Sequence, residues 1–132
     1  MSTISASQVK ELREKTGLGL MDCKKALEEA NGDIDLAIEE LRKTSGIKAS
    51  KKSGRSAADG LIGITTKDKV FFMIEVNCET DFVARDDSYI NFTKETLDTY
   101  SNNPSHSLEQ LLENGVEDNR EKLVQKLGEN IV

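Results

Sequence analysis

At 132 residues the chain has room for one ordinary domain or two small ones, and a single folded unit of that size buries about two-thirds of its unfolded surface. Charged residues make up 32% and aromatics only 5%, with a formal net charge of −6. That acidity argues against general nucleic-acid binding, which needs clustered cations to displace counterions, while the recurrent Ile, Leu, Val and Met exclude disorder. No run approaches membrane-spanning length, and Met1-Ser2-Thr3 has neither the basic lead nor the apolar core of a signal peptide, so the expected location is the cytoplasm.

In chain order, Ser5-Ala6-Ser7-Gln8 fits a capping box with Ser5 as N-cap, and Ile4 and Val9 fall where a hydrophobic staple closes. A helix begins there, runs through Leu12 and stops at Thr16-Gly17. A second helix carries Leu20, Cys23, Leu27 and Ala30 on one face and ends at Asn31-Gly32. Asp33 caps a third, in which Ile34, Ala37, Ile38 and Leu41 repeat at helical spacing and Glu39 precedes Lys43 by four. Residues 1–45 therefore read as a compact three-helix unit. Leu18, Leu20 and Met21 add more apolar groups at the first loop than its inner face needs, which suggests that some are exposed for a partner.

Residues 46–58 are rich in Ser, Ala, Gly and Lys with Ile47 the one large apolar residue, and read as a basic flexible linker. Residues 61–66 and 70–78 are β-branched and aromatic runs separated by Lys67-Asp68-Lys69, the pattern of a hairpin. Phe72, Ile74, Val76 and Cys78 share one face; Phe71 and Met73 on the other suggest that both faces are covered near the start of this strand. Tyr89, Phe92, Thr93, Thr96, Leu97 and Tyr100 form a helical stripe behind the acidic entry Asp86-Asp87-Ser88. Asn102-Asn103-Pro104 breaks it, Ser107-Leu108-Glu109-Gln110 starts a short helix by another capping box, and a last helix carries Leu123, Val124 and Leu127 to Gly128. Glu129-Asn130-Ile131-Val132 reads as a strand beginning, so the expectation for residues 59–132 is a subdomain cut short. The fold class is α+β.

Glu79-Thr80-Asp81-Phe82-Val83-Ala84-Arg85 lies where the strand pattern ends and the helical pattern starts. A Phe among charges at such a junction is either half-buried core or an anchor for another molecule. Catalytic chemistry finds little support. Glu79, Asp81, Asp86 and Asp87 have no His or phosphate loop beside them, and His106 is alone next to a proline break. Asp33-Ile34-Asp35 lacks the further ligands and central glycine of a calcium loop, and Gly17-Leu18-Gly19 does not follow a strand. Cys23 and Cys78 lack metal-site spacing and read as buried thiols. The residues thus point to a two-part binding protein without enzyme chemistry, cofactor or metal.

Four stretches resemble one family. Thr16-Gly17-Leu18-Gly19-Leu20-Met21-Asp22-Cys23-Lys24-Lys25-Ala26-Leu27, Asn31-Gly32-Asp33, Glu75-Val76-Asn77-Cys78-Glu79-Thr80-Asp81-Phe82-Val83-Ala84 and Gly128-Glu129-Asn130-Ile131 are similar, in order, to translation elongation factor Ts. The resemblance implies a bundle like ubiquitin-associated domains, a linker and the first half of the factor's core. It implies exchange of GDP for GTP on elongation factor Tu, with no bond made or broken and no membrane or direct nucleic-acid contact. By the same resemblance, Asp81 and Phe82, with Thr80 and Val83 beside them, reach the GTPase domain of that partner near its magnesium site. Leu20, Met21 and Lys24 make a second contact from the bundle. Glu79 and Arg85 stand where many family members carry Gln and Lys. The rival reading is an adaptor whose bundle binds a ubiquitin-like or nascent-chain partner; a carboxylate-dependent hydrolase is a third.

Overall fold

The structure is a computed structural model that describes residues 3–132; Met1 and Ser2, which belong to the expected N-terminal unit and to the leader-peptide reading, lie outside the described residues. Helix α1 (Ala6–Thr16) opens with the capping box in full: Gln8 N–H donates to Ser5 Oγ at 3.2 Å and Ser5 N–H donates to Gln8 Oε1 at 2.9 Å. It ends at Gly17, whose φ of 69° is the left-handed conformation that closes a helix without a Cβ clash. Helix α2 (Leu20–Glu29) and helix α3 (Ile34–Lys52) follow, the second capped by Asp33 accepting from Leu36 N–H at 3.0 Å. Val9, Leu12, Leu18, Cys23, Ala26, Leu27, Ala37 and Leu41 form their common core, with Ile4 packed on its edge. Leu18 is buried rather than available to a partner.

Helix α3 runs seven residues past residue 45, where sequence composition suggested a flexible linker; only residues 53–58 connect it to the sheet. The small residues that read as linker are the inward face of the helix. Ala37, Leu41, Ser45 and Ala49 are spaced by four and buried, and the stretch beyond Leu41 packs on helix α7 (Glu117–Leu127). Small side chains let two helices approach closely. Ser45 Oγ donates to Leu41 O at 2.9 Å and also bonds Gln125 of α7, while Arg42 pairs with Asp118 at 3.4 Å and Lys48 reaches back to Asp22 of α2 at 3.4 Å. Composition alone cannot distinguish a solvated Ser/Ala/Gly segment from a packed one, because the distinction lies in the partner helix. On the exposed side of α3, Lys43 pairs with Glu40 at 3.3 Å rather than with Glu39.

Strands β1 (Asp59–Lys67) and β2 (Val70–Cys78) pair antiparallel, with Leu61 opposite Val76 and Ile64 opposite Met73. Asp68 and Lys69 both have positive φ, 51° and 64°, as a two-residue turn matched to sheet twist demands. Gly60, at φ 148°, lies so close to β2 that a Cβ there would sit 2.0 Å from Val76 O. One face of the sheet is covered by helix α5 (Asp87–Asn102). There Phe72, Val76, Cys78, Tyr89 and Phe92 are buried, Tyr89 Oη donates to Val76 O, and Phe72 meets Tyr100 edge to face at 5.1 Å. Burial raises the Tyr89 hydroxyl and the Cys78 thiol above their ordinary ranges, so both stay neutral. The opposite face is not covered, contrary to expectation: Phe71 and Met73 stand beside Ile62 and Ile64, all exposed.

After the sheet come a one-turn helix α4 (Asp81–Ala84), α5, a short helix α6 (Leu108–Leu111) with its Ser107–Gln110 capping box, a wide π-type turn over Leu112–Val116, and α7. Gly115, at φ 93°, makes the kink in that turn. Ile131 is fully buried, and Val132 exchanges two backbone hydrogen bonds with Asn77, at 2.9 and 2.7 Å, so the final residues meet β2. Arg120 fixes this segment by donating to Ile131 O at 2.8 Å while holding Glu117 at 2.6 and 2.8 Å. Among the described residues, no helix is long and apolar enough to cross a membrane.

Two consequences are measurable. Ala49→Leu should cost about 1–3 kcal/mol by overpacking α3 against α7, read from urea unfolding, whereas a flexible linker would tolerate it without loss. The hydrogen bond from Arg120 holds the Glu117 carboxyl below the usual carboxylate range, against a smaller opposing effect of burial. Its folded-state value being depressed, its contribution is complete above the unfolded value, about pH 4, and is lost as pH falls through the folded one. Glu121, pushed upward mainly by burial, acts in the opposite sense. The parent should therefore lose more stability than Glu117→Gln as pH falls below about 4, and parallel acid curves would contradict this assignment.

Candidate functional site

The site is built at the strand-to-helix junction. At Cys78 the backbone leaves β2 still extended, and Thr80, at φ −131° and ψ 156°, is the N-cap of α4, its Oγ1 accepting from Val83 N–H at 3.4 Å. Four residues make too short a helix to stand alone, so packing and caps must hold it. Ala84 is buried and Val83 packs on the same core, which turns the other side of the coil outward. Asp81, Phe82 and Arg85 occupy that side, with Phe82 81% exposed and Asp81 paired to Arg85 at 3.3 Å. A side chain with 81% of its surface in water is not core. Geometry thus excludes the half-buried-core alternative, since the ring stands free on a braced turn.

Below the turn, two carboxylates lock the junction to the segment after α7. Glu129 Oε2 accepts from Glu79 N–H at 2.9 Å and from Thr80 N–H at 3.0 Å, and Thr80 Oγ1 donates to Glu129 Oε1 at 2.5 Å. Reciprocally, Glu79 Oε1 accepts from Asn130 N–H at 2.8 Å and lies 3.5 Å from the Arg55 guanidinium. Asn130, itself buried, donates through Nδ2 to Arg55 O at 2.8 Å, bringing the connection from α3 into the same knot. Hydrogen bonds to ionised acceptors are roughly twice as strong as neutral ones. Sequence reading found no catalytic role for Glu79 and gave Glu129 and Asn130 no part in the site, since partners about fifty residues apart leave no periodic trace. The strand expected over Glu129-Asn130-Ile131-Val132 is not formed, and the resemblance of Gly128-Glu129-Asn130-Ile131 was the other mark on that stretch.

The bundle residues singled out from sequence sit elsewhere. Leu20 and Met21, 55% and 73% exposed, lie at the first turn of α2, with Lys24 one turn on and paired with Glu28 at 3.8 Å. They form one apolar and cationic patch on the three-helix unit, separate from the core that carries α4. Cys23 and Cys78 are buried free thiols, and no group of three or more His, Cys, Asp or Glu that could hold a metal ion occurs among the described residues. His106 lies in the loop before α6 and stands in no cluster of this kind.

Comparison with known proteins agrees on one family. The family model described as elongation factor TS matches residues 79–132, which begin at this junction and include the Glu129 segment. Over 133 aligned residues the chain is 53% identical to elongation factor Ts of Marinobacter nauticus and to that of Hahella chejuensis, covering 99% of this chain and 46% of each relative. It is 53% identical over 131 residues to elongation factor Ts of Salmonella agona, with the same coverage. The chain is therefore similar to elongation factor Ts from end to end and spans about half the length of the curated relatives it matches.

Phe82→Ala should change the urea unfolding free energy by less than about 0.5 kcal/mol, as for surface substitutions generally, whereas Phe92→Ala in the buried core should cost about 3–5 kcal/mol. Early unfolding of the Phe82 variant would identify that ring as a folding element instead.

Proposed function

We propose that this chain, similar to elongation factor Ts along its length, carries a guanine nucleotide exchange surface for elongation factor Tu, with Phe82 as its anchor. The observation that carries this reading is a large aromatic, almost wholly exposed, on a one-turn helix whose base is pinned by five hydrogen bonds at Glu79, Thr80 and Asn130. Leaving an aromatic in water while spending so many polar contacts on its support fits a contact residue, since preorganised aromatic anchors dominate interface energetics.

Exchange needs no bond-making group. A factor accelerates release by binding the nucleotide-free or distorted partner more tightly than the nucleotide-bound one; by linkage, nucleotide weakens the factor's binding by the same ratio. Phe82 supplies an apolar wedge and Asp81 a carboxylate beside it. Inserted near a phosphate and magnesium site, the pair displaces groups that hold the ion, an interaction available only in the distorted state. Leu20, Met21 and Lys24 offer a second contact on the bundle. Because α3 is one continuous helix packed on both cores, the two surfaces are held in a fixed relation, not by a loose tether.

Labelled GDP release from elongation factor Tu, with and without this chain, tests the reading. Phe82→Ala should slow stimulated release at least about thirtyfold, equivalent to about 2 kcal/mol, and Asp81→Ala should slow it less. Met21→Ser with Leu20→Ser should weaken binding while leaving the rate at saturation largely intact. A Phe82→Ala protein that releases GDP at the parent rate would overturn the proposal.

A further inference from the structure

We infer that Glu129 is a positioning residue that sets the Asp81-Phe82 turn in its binding-competent orientation, an assignment that rests on the exchange reading above. The chain of contacts is short and directional. Both Glu129 oxygens are committed to the junction: Oε2 to the amides of Glu79 and Thr80, Oε1 to the Thr80 hydroxyl. A hydroxyl has one proton. Because Thr80 donates it to Glu129, the lone pairs of Oγ1 remain for Val83 N–H, the cap that starts the turn presenting Phe82. Glu129 thus acts on Phe82 through Thr80, without touching the exposed ring.

Glu129 is itself held from the other side. It follows Gly128, whose φ of 76° ends α7, and precedes Asn130, whose N–H donates to Glu79 Oε1 and whose amide donates to Arg55 O. Beyond it Ile131 is fully buried and its carbonyl accepts from Arg120. The carboxylate therefore stands on a fixed base, and what it fixes in turn is a helix too short to hold its own direction. Loss of the clasp should leave the wedge chemically intact but less often correctly aimed. The apparent affinity of a site falls in proportion to the fraction of molecules in the competent state, so the expected signature is in concentration dependence, not in the rate at saturation.

The test is the GDP-release assay run as a titration with this chain, alongside amide hydrogen exchange on the free chain. In Glu129→Ala the amides of Glu79, Thr80 and Val83 should exchange at least about tenfold faster, while those of Leu12 and Leu27 in the bundle keep their protection. Its half-saturating concentration should rise about tenfold with the saturating rate retained, and Glu129→Gln, which keeps one acceptor oxygen, should fall between it and the parent. On a Phe82→Ala background, Glu129→Ala should add less than about twofold, because its effect passes through that ring. Unchanged amide protection, an unchanged titration, or equal losses on both backgrounds would overturn the inference. If Glu129→Ala loosens the junction amides but Phe82→Ala releases GDP at the parent rate, the exchange reading fails and the clasp stands as a purely structural one.

Discussion

The close packing of α3 on α7 is the contact on which the arrangement of the whole chain depends. Neither core is large. One is built from α1, α2 and the start of α3, the other from the sheet, α5, α7 and the final residues, and units near this size sit close to the limit of independent stability. One helix serves both: Ala37 and Leu41 belong to the first core and Ala49 to the second, with Ser45 bonding Gln125 between them. Because a helix is stiff over this length, sharing it makes the bundle and the sheet layer one body. Ser45 and Ala49 allow the approach by being small, and a polar Ser is tolerated in the interface because its hydroxyl donates to Leu41 O within its own helix.

From this frame the junction at Thr80 gains its rigidity. The segment after α7 is placed by that helix, and it is tied to the end of β2 by Glu129 accepting from the Glu79 and Thr80 amides and by the Asn130 amide donating to Glu79. An exposed turn is ordinarily a mobile one. Here polar bonds at its base and Val83 and Ala84 on its inner side do the fixing, leaving Phe82 exposed beside the Asp81–Arg85 pair. Exposure of the ring and fixed direction of the turn thus come from different residues.

The two-stranded sheet shows the same division of labour. Its inner face is sealed by α5 around Tyr89, while its outer face leaves Ile62, Ile64, Phe71 and Met73 in water. Alternation along β2 assigns Phe72 and Phe71 to opposite faces with certainty, but which face a helix covers is decided by the connection through α4 and the direction in which α5 leaves it.

What the sequence by itself determined is local. The Ser5–Gln8 and Ser107–Gln110 capping boxes, the Asp33 cap, the stops at Gly17 and Gly128, the turn between the strands and the stripe from Tyr89 to Leu97 all depend on residues within one or two turns of each other, so spacing suffices to read them. The place of Phe82 at a junction, and its likeness to a family motif, were legible on the same terms. Tertiary structure alone decided that residues 46–52 are helix, that Leu18 is buried, that Phe71 and Met73 are uncovered, and that Glu129 braces Thr80. Each depends on a partner far away in the chain: α7 for the small residues of α3, the bundle core for Leu18, the exit path of α5 for the sheet, and a segment 49 residues away for Thr80. Periodicity encodes which way a residue faces along its own element, and it carries no information about what stands opposite.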